Sequence, residues 1–218
     1  MQYTHRRLAA AGLLLAAFLL LTLVVLFIDV QPIGPEGSSV GLATLNGAAH
    51  RLFGVSMTWY AITDWLGLAS LAVALGFAIL GLCQLVRRRS LLRVDTSVLL
   101  LGGLYMLLIA AYAFFELCIV NYRPILMDGV LEASYPSSHT MLTVGIMASA
   151  PIALRVLLTG RRAAHRAADT LGTLVIGFTV VGRLLSGVHW LTDILGGVLL
   201  ASALVLSYAA LAGRRRAR

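Results

Sequence analysis

A few polar side chains stand out against an apolar background: Arg123, Ser137, Ser138, His139, Arg183, His189 and Asp193. His189 and Asp193 are four residues apart, the spacing that brings side chains together on one face of a helix. A carboxylate so placed accepts Nδ1–H, fixes the imidazole tautomer and leaves Nε2 free as a nucleophile. Taken alone, the pair fits an interfacial histidine with an acidic neighbour equally well. The two arginines shift the reading. Guanidinium forks bind phosphate oxygens bidentately, and charges at the edge of a membrane-spanning run are costly unless they serve a site. Snorkelling towards headgroups accounts for one such arginine better than for two beside two histidines. Ser137 follows Pro136 and is a favoured helix N-cap residue. A helix beginning there would present free backbone N–H groups to an anion, and His139 one turn in suits proton transfer. The chemistry open to this set is nucleophilic attack on a phosphate ester with acid–base assistance. His139, His189 and Asp193 are also possible metal ligands, but the neighbouring arginines would repel a cation. No metal and no cofactor are expected.

The elements that must carry these residues are membrane helices. The chain is 60% hydrophobic and 12% charged, with mean hydropathy +0.92, whereas soluble domains carry about 25% charged residues. Apolar runs at about 8–28, 59–86, 98–120, 138–158, 170–186 and 189–211 each approach the length of about 20 residues that crosses a bilayer. Residues 40–53 read as a weakly amphipathic helix at the interface. The first run is too long for a signal-peptide core and lacks a small-residue cleavage site. The expected architecture is all-α, a single membrane domain over 1–218 with six spans in one bundle. Trp59, Tyr60 and Trp65 read as an aromatic interface anchor, with Asp64 interfacial beside them. Tyr122, Tyr135 and Trp190 read as further anchors, and His50 and Arg51 as headgroup contacts. Asp128 and Glu132 read as solvated loop charges. Gly187, Gly196 and Gly197 are expected to let the fifth and sixth spans pack closely. Cys83 and Cys118 fall near opposite ends of adjacent runs, too far apart for a disulfide.

The net charge of +8 does not point to nucleic acid, because of how it is distributed. All 17 basic side chains are arginine, and all but Arg51, Arg123 and Arg183 fall at the N-terminus, after the second run, at or after the end of the fourth (Arg155 just inside it), or at the C-terminus. Positive-inside asymmetry then places both termini in the cytoplasm of a cell membrane and the polar set on the outer face. A channel or transporter is a poor fit, since the inner halves of the runs hold almost no polar residues.

Three segments together, Arg123-Pro124, Pro136-Ser137-x-His139 and Arg183-x5-His189-x3-Asp193, resemble the signature of the type 2 phosphatidic acid phosphatase superfamily of lipid phosphate phosphatases, whose soluble relatives include vanadium haloperoxidases. The resemblance covers roughly residues 98–211, with the signature region at 116–193. It implies that His189 attacks phosphorus to form a phosphohistidine and that Asp193 orients it. His139 would protonate the leaving group and then activate water. Arg123, Arg183, Ser137 and Ser138 would hold phosphoryl oxygens, without a metal ion. The substrate implied is a lipid phosphate such as undecaprenyl diphosphate, phosphatidic acid or phosphatidylglycerophosphate. A phosphotransferase of the same family, or a non-catalytic lipid-binding relative, is the alternative.

The chain departs from that pattern at three places. Glu116 stands where the family has lysine, and is expected to form a buried ion pair with Arg123 or Arg183 or, failing that, to face a cationic part of the substrate. Ser138 replaces glycine, adding a hydroxyl to the pocket. Gly182 replaces serine before Arg183 and removes one possible phosphate contact.

Overall fold

A computed structural model describes residues 2–214. The helices are α1 (Gln2–Phe27), α2 (Ala43–Phe53), α3 (Met57–Arg88), α4 (Thr96–Leu117), α5 (Ser138–Leu157), α6 (Arg162–Ser186) and α7 (Leu191–Arg214). Six of them, all but α2, are long and apolar enough to cross a membrane. The fold is therefore the expected all-α, multi-pass one.

Helix boundaries follow local chemistry. α1 stops where Asp29 takes a left-handed conformation ahead of Pro32. α6 ends at Gly187, whose φ of 66° is the left-handed cap that glycine adopts without strain. The same residue lies back to back with the α2–α3 junction, where a Cβ would fall 2.1 Å from the Gly54 carbonyl oxygen. α6 begins at Arg162 rather than near residue 170, so Arg162, His165 and Arg166 extend the helix instead of forming a loop. Straight-chain charged residues are good helix formers, and a hydropathy run cannot register them.

α5 and α7 are the inner helices. They bury 61% and 56% of their spanning windows, against 11–22% for the other spans. Phe18 and Val25 of α1, Leu104 and Leu108 of α4, Met141 and Val144 of α5 and Val205 and Tyr208 of α7 form one core. Leucines such as Leu13, Leu20, Leu75 and Leu82 point outward, as a lipid-facing surface requires. Lipid is as apolar as leucine, so association rests on close packing of small residues. Gly196 and Gly197 do this, but against Tyr135 and Ser137 at the start of α5 rather than against α6. The expectation that they join the fifth and sixth spans is thus corrected.

Arg7 Nη1 donates to the Ala209 carbonyl oxygen at 3.2 Å, which puts the start of α1 and the end of α7 at one end of the bundle. Arg88–Asp95 and Arg155–Asp169 pairs link α3 to the segment before α4 and α5 to α6. The candidate catalytic residues lie at other helix ends, described next.

Candidate active site

Residues 121–134, between α4 and α5, fold back as a short antiparallel hairpin. Its bridges pair Tyr122 with Ala133 and Met127 with Val130. Asp128 and Gly129 form the tip with φ of 51° and 78°, the conformation that makes Asp-Gly a hairpin signal. The pairing sets Arg123 opposite Glu132: Arg123 N–H donates to the Glu132 carbonyl oxygen at 3.0 Å. Arg123 Nε lies 2.9 Å from Glu132 Oε2. Glu132 is therefore an ion-pair partner and not only a solvated charge. Arg123 lies beyond the end of α4, on this hairpin.

Ser137 begins α5. Fully buried, it accepts Thr140 N–H on its hydroxyl at 3.4 Å and donates its own N–H to the Asp193 carbonyl oxygen at 2.9 Å. The N-cap reading thus holds, and the same residue ties α5 to the first turn of α7. Ser138 and His139 are partly exposed on that helix start.

His189 lies in the turn before α7, not on the helix, and Asp193 is in its first turn. The two nonetheless meet: His189 Nδ1 is 3.6 Å from Asp193 Oδ2. The same oxygen accepts Trp190 N–H at 2.9 Å, the return half of a capping box. Asp193 thus caps the helix and faces the imidazole. Both side chains are buried. Burial, then the guanidiniums of Arg123 and Arg183, hold the His189 pKa well below the ordinary histidine value, since each disfavours the imidazolium. His189 is a neutral imidazole at neutral pH, with Nε2 buried and unpartnered within the protein.

Arg183 of α6 is completely buried and packs over the Tyr60 ring at 5.0 Å, a cation–π contact. Its Nη2 donates to Asp64 Oδ1 at 2.9 Å, while Nε and Nη1 have no partner in the protein. Arg123 Nη1 is likewise buried and unpartnered. Buried cationic donors left unsatisfied are costly, and an oxyanion is what such donors suit. Among the described residues no three His, Cys, Asp or Glu side chains converge as a possible metal-ligand set.

Several expectations are corrected here. Asp64 is not simply interfacial: its Oδ1 also lies 2.8 Å from His139 Nε2. Glu116 is exposed and joins neither arginine, because Glu132 and Asp64 hold them. It instead lines a small recess with Ser134, Ser138 and His189. Tyr135 and Trp190 are core rather than anchors. The Tyr135 hydroxyl lies 2.8 Å from Thr22 Oγ1, and the Trp190 indole N–H donates to the Tyr122 carbonyl oxygen at 2.7 Å. Gly182 is a packing requirement, since a Cβ there would lie 2.5 Å from Thr63 Cγ2. A serine there would be overpacked against α3.

The interfacial helix carries more than sequence reasoning assigned to it. Buried Asn46 of α2 donates to Thr192 Oγ1 at 2.9 Å and accepts Thr192 N–H at 3.2 Å, supplying a cap to α7 from another helix. His50 Nε2 lies 3.1 Å from the Gly187 carbonyl oxygen, its hydrogen-bond acceptor, with the ring beside Trp190. Both ends of the turn bearing His189 are thus held by α2. No sequence spacing signals this, because the contacts join residues more than a hundred positions apart.

A groove of about 210 Å³ opens beside His139, walled by Asp64, Gly67, Leu68 and Leu71 of α3, Tyr112 of α4 and Leu142 of α5. Ser138 and Tyr112 border both this groove and the recess over His189.

The fold and site together define a polytopic helical membrane protein with a histidine–carboxylate pair, one fully buried guanidinium and one partly buried guanidinium at one end of its bundle. The PAP2 superfamily model matches residues 110–217, and the chain belongs to that superfamily. The fold is similar to the crystal structure described as the first transmembrane PAP2 type phosphatidylglycerolphosphate phosphatase from Bacillus subtilis. That likeness has a TM-score of 0.62 and 16% identity, covering 95% of this chain and 97% of the other. No curated protein matches the chain by sequence.

Proposed function

We propose that this lipid phosphatase hydrolyses the terminal phosphate of a membrane lipid through a phosphohistidine on His189. The observation carrying the reading is the buried His189, backed by Asp193 and flanked by arginines with unpartnered donors. In the first half, His189 Nε2 attacks phosphorus, the bond to the lipid oxygen breaks, and His139 gives that oxygen a proton. Asp193 stabilises the imidazolium that forms. In the second half, His139 takes a proton from water as the water oxygen attacks phosphorus. The P–N bond breaks and neutral His189 returns. Arg123, Arg183 and the backbone N–H groups at the start of α5 receive the charge on the phosphoryl oxygens, with Ser138 as the accessible hydroxyl.

The groove between α3, α4 and α5, lined by Leu68, Leu71 and Leu142, suits the first part of an acyl chain. Glu116 beside His189 would repel a second phosphate. The substrate reading is therefore a lipid with a terminal phosphomonoester, phosphatidic acid or phosphatidylglycerophosphate (whose second phosphate is a diester set apart by glycerol), ahead of undecaprenyl diphosphate, whose two phosphates adjoin. The arginine distribution supports cytoplasmic termini and a site on the outer face of a cell membrane.

The test is phosphate release by the purified, detergent-solubilised chain from a panel of lipid phosphates, with EDTA present and His189→Ala as control. Release that needs His189 and survives EDTA is expected, fastest with terminal phosphomonoesters. An active His189→Ala variant would sink the mechanism. Release only when an acceptor alcohol is added would convert the reading to phosphotransfer.

A further inference from the structure

We propose that Asp64 is the positioning carboxylate of His139, so that the site contains two histidine–carboxylate pairs, one for the nucleophile and one for the proton-transfer residue. The inference rests on the phosphatase reading above and assigns a residue outside the matched family segment. A single oxygen, Asp64 Oδ1, lies 2.8 Å from His139 Nε2 and 2.9 Å from Arg183 Nη2. One turn along α3, Gly67 makes room for the ring, since a Cβ there would stand 3.1 Å from His139 Cδ2. The Cδ2–Nε2 edge of the imidazole therefore faces α3. Nδ1 is buried with no partner in the protein.

A carboxylate accepting from Nε2 requires the proton there and leaves Nδ1 as the nitrogen that exchanges protons, as in histidine–aspartate pairs generally. The charge matters as much as the geometry. Arg183 of α6, Arg123 of the hairpin and His189 of the turn before α7 are the other ionisable groups that surround His139. Glu116 and Tyr112 approach the adjoining recess from α4. Among the described residues Asp64 is the one carboxylate in contact with the ring, and its negative charge favours the protonated form of His139 that the leaving oxygen needs.

Both roles can be read from Asp64→Asn, which preserves shape and a hydrogen-bond acceptor but removes the charge. The assay compares phosphatidic acid in mixed micelles with p-nitrophenyl phosphate, whose leaving group needs no proton. The expected result is a kcat loss of about 10- to 100-fold on the lipid with KM unchanged, and a much smaller loss in the nitrophenol burst, which reports the phosphorylation step alone. The alkaline limb of kcat should move to lower pH by about one unit or more. Asp64→Glu should restore part of the rate, and adding Asp64→Asn to His139→Ala should cost nothing further. Thermal melts of each variant in detergent exclude misfolding.

An unchanged pH profile, a nitrophenol burst slowed as much as lipid turnover, or additive loss in the double variant would overturn the proposal. So would an Asp64→Asn variant faster than wild type, which would make the carboxylate a competitor of phosphate. A wild-type chain inactive on every ester would defeat the phosphatase reading as well, whereas an active wild type with an indifferent Asp64→Asn defeats this inference alone.

Discussion

The two histidines are held by carboxylates of different origin. Asp193 comes from the same stretch of chain as His189 and serves it from four residues away, doubling as the cap of its own helix. Asp64 reaches His139 from α3, and the oxygen it offers is shared with an arginine 119 residues further on. The first pair is sealed, with side chains 1% and 0% exposed; in the second they are 31% and 41% exposed. The sealed pair suits a group that must stay neutral and dry. In the proposed mechanism the more exposed pair is the one that passes a proton to the leaving group.

That contrast can be broken residue by residue. The largest effect is expected at the sealed pair: His189→Ala should abolish phosphate release, and Asp193→Asn should lower kcat by roughly 10³- to 10⁴-fold, as loss of an orienting carboxylate does elsewhere. Trapping radiolabelled phosphohistidine in the wild type and its absence in His189→Ala would check this. His139→Ala should lose about 10²- to 10⁴-fold on alkyl esters and much less on p-nitrophenyl phosphate in the phosphorylation step, measured as the nitrophenol burst.

Next is the clamp behind the sealed pair. Asn46→Leu removes the cap on Thr192 N–H in a buried place, which should destabilise the fold by about 1–3 kcal/mol and lower kcat. A melt that shifts without loss of rate would mean that α2 supports the bundle and not the turn. Gly182→Ser restores the family residue but forces overpacking against Thr63. It should destabilise by about 1–3 kcal/mol without gain in activity, seen in the melting curve and kcat/KM.

The smallest effect concerns pH and stability. Because the folded chain holds His189 below the ordinary value of 6.5, folded and unfolded chains both carry it neutral above that pH. Below it the unfolded chain binds a proton that the fold refuses, so stability is lost on acidification, by at most about 1.4 kcal/mol per pH unit. His189→Gln should flatten the fall in melting temperature between about pH 6.5 and 5.

Much of this was legible in the sequence for physical reasons. Six apolar runs of bilayer length leave few alternatives to helices, because no other open backbone satisfies its hydrogen bonds in lipid. The Asp193–His189 pair was legible because it is local, although the turn places His189 just outside the helix. The Ser137 cap was legible for the same reason. Asp64 was not, since nothing in its spacing reveals that α3 lies against α5 and α6. The error over Glu116 has a sharper cause. A hairpin signal was present in Met127-Asp128-Gly129-Val130, and pairing outward from that tip places Glu132 across from Arg123. With Glu132 on one arginine and Asp64 on the other, no cation remained for Glu116. Asn46 and Gly182 were similarly decided by which helix approaches, information that exists only in three dimensions.

One consequence of α2 reaches beyond the protein itself. Its inner side grips the turn carrying His189 through Asn46 and His50, while Leu45, Leu52 and Phe53 on its other side are exposed and suited to the headgroup boundary. Lipid seated against that side would steady the turn that carries His189. A micelle that leaves this helix poorly seated should slacken the turn while the bundle still melts as a unit. Turnover, and not melting temperature, is then the measure of whether the protein has been extracted intact.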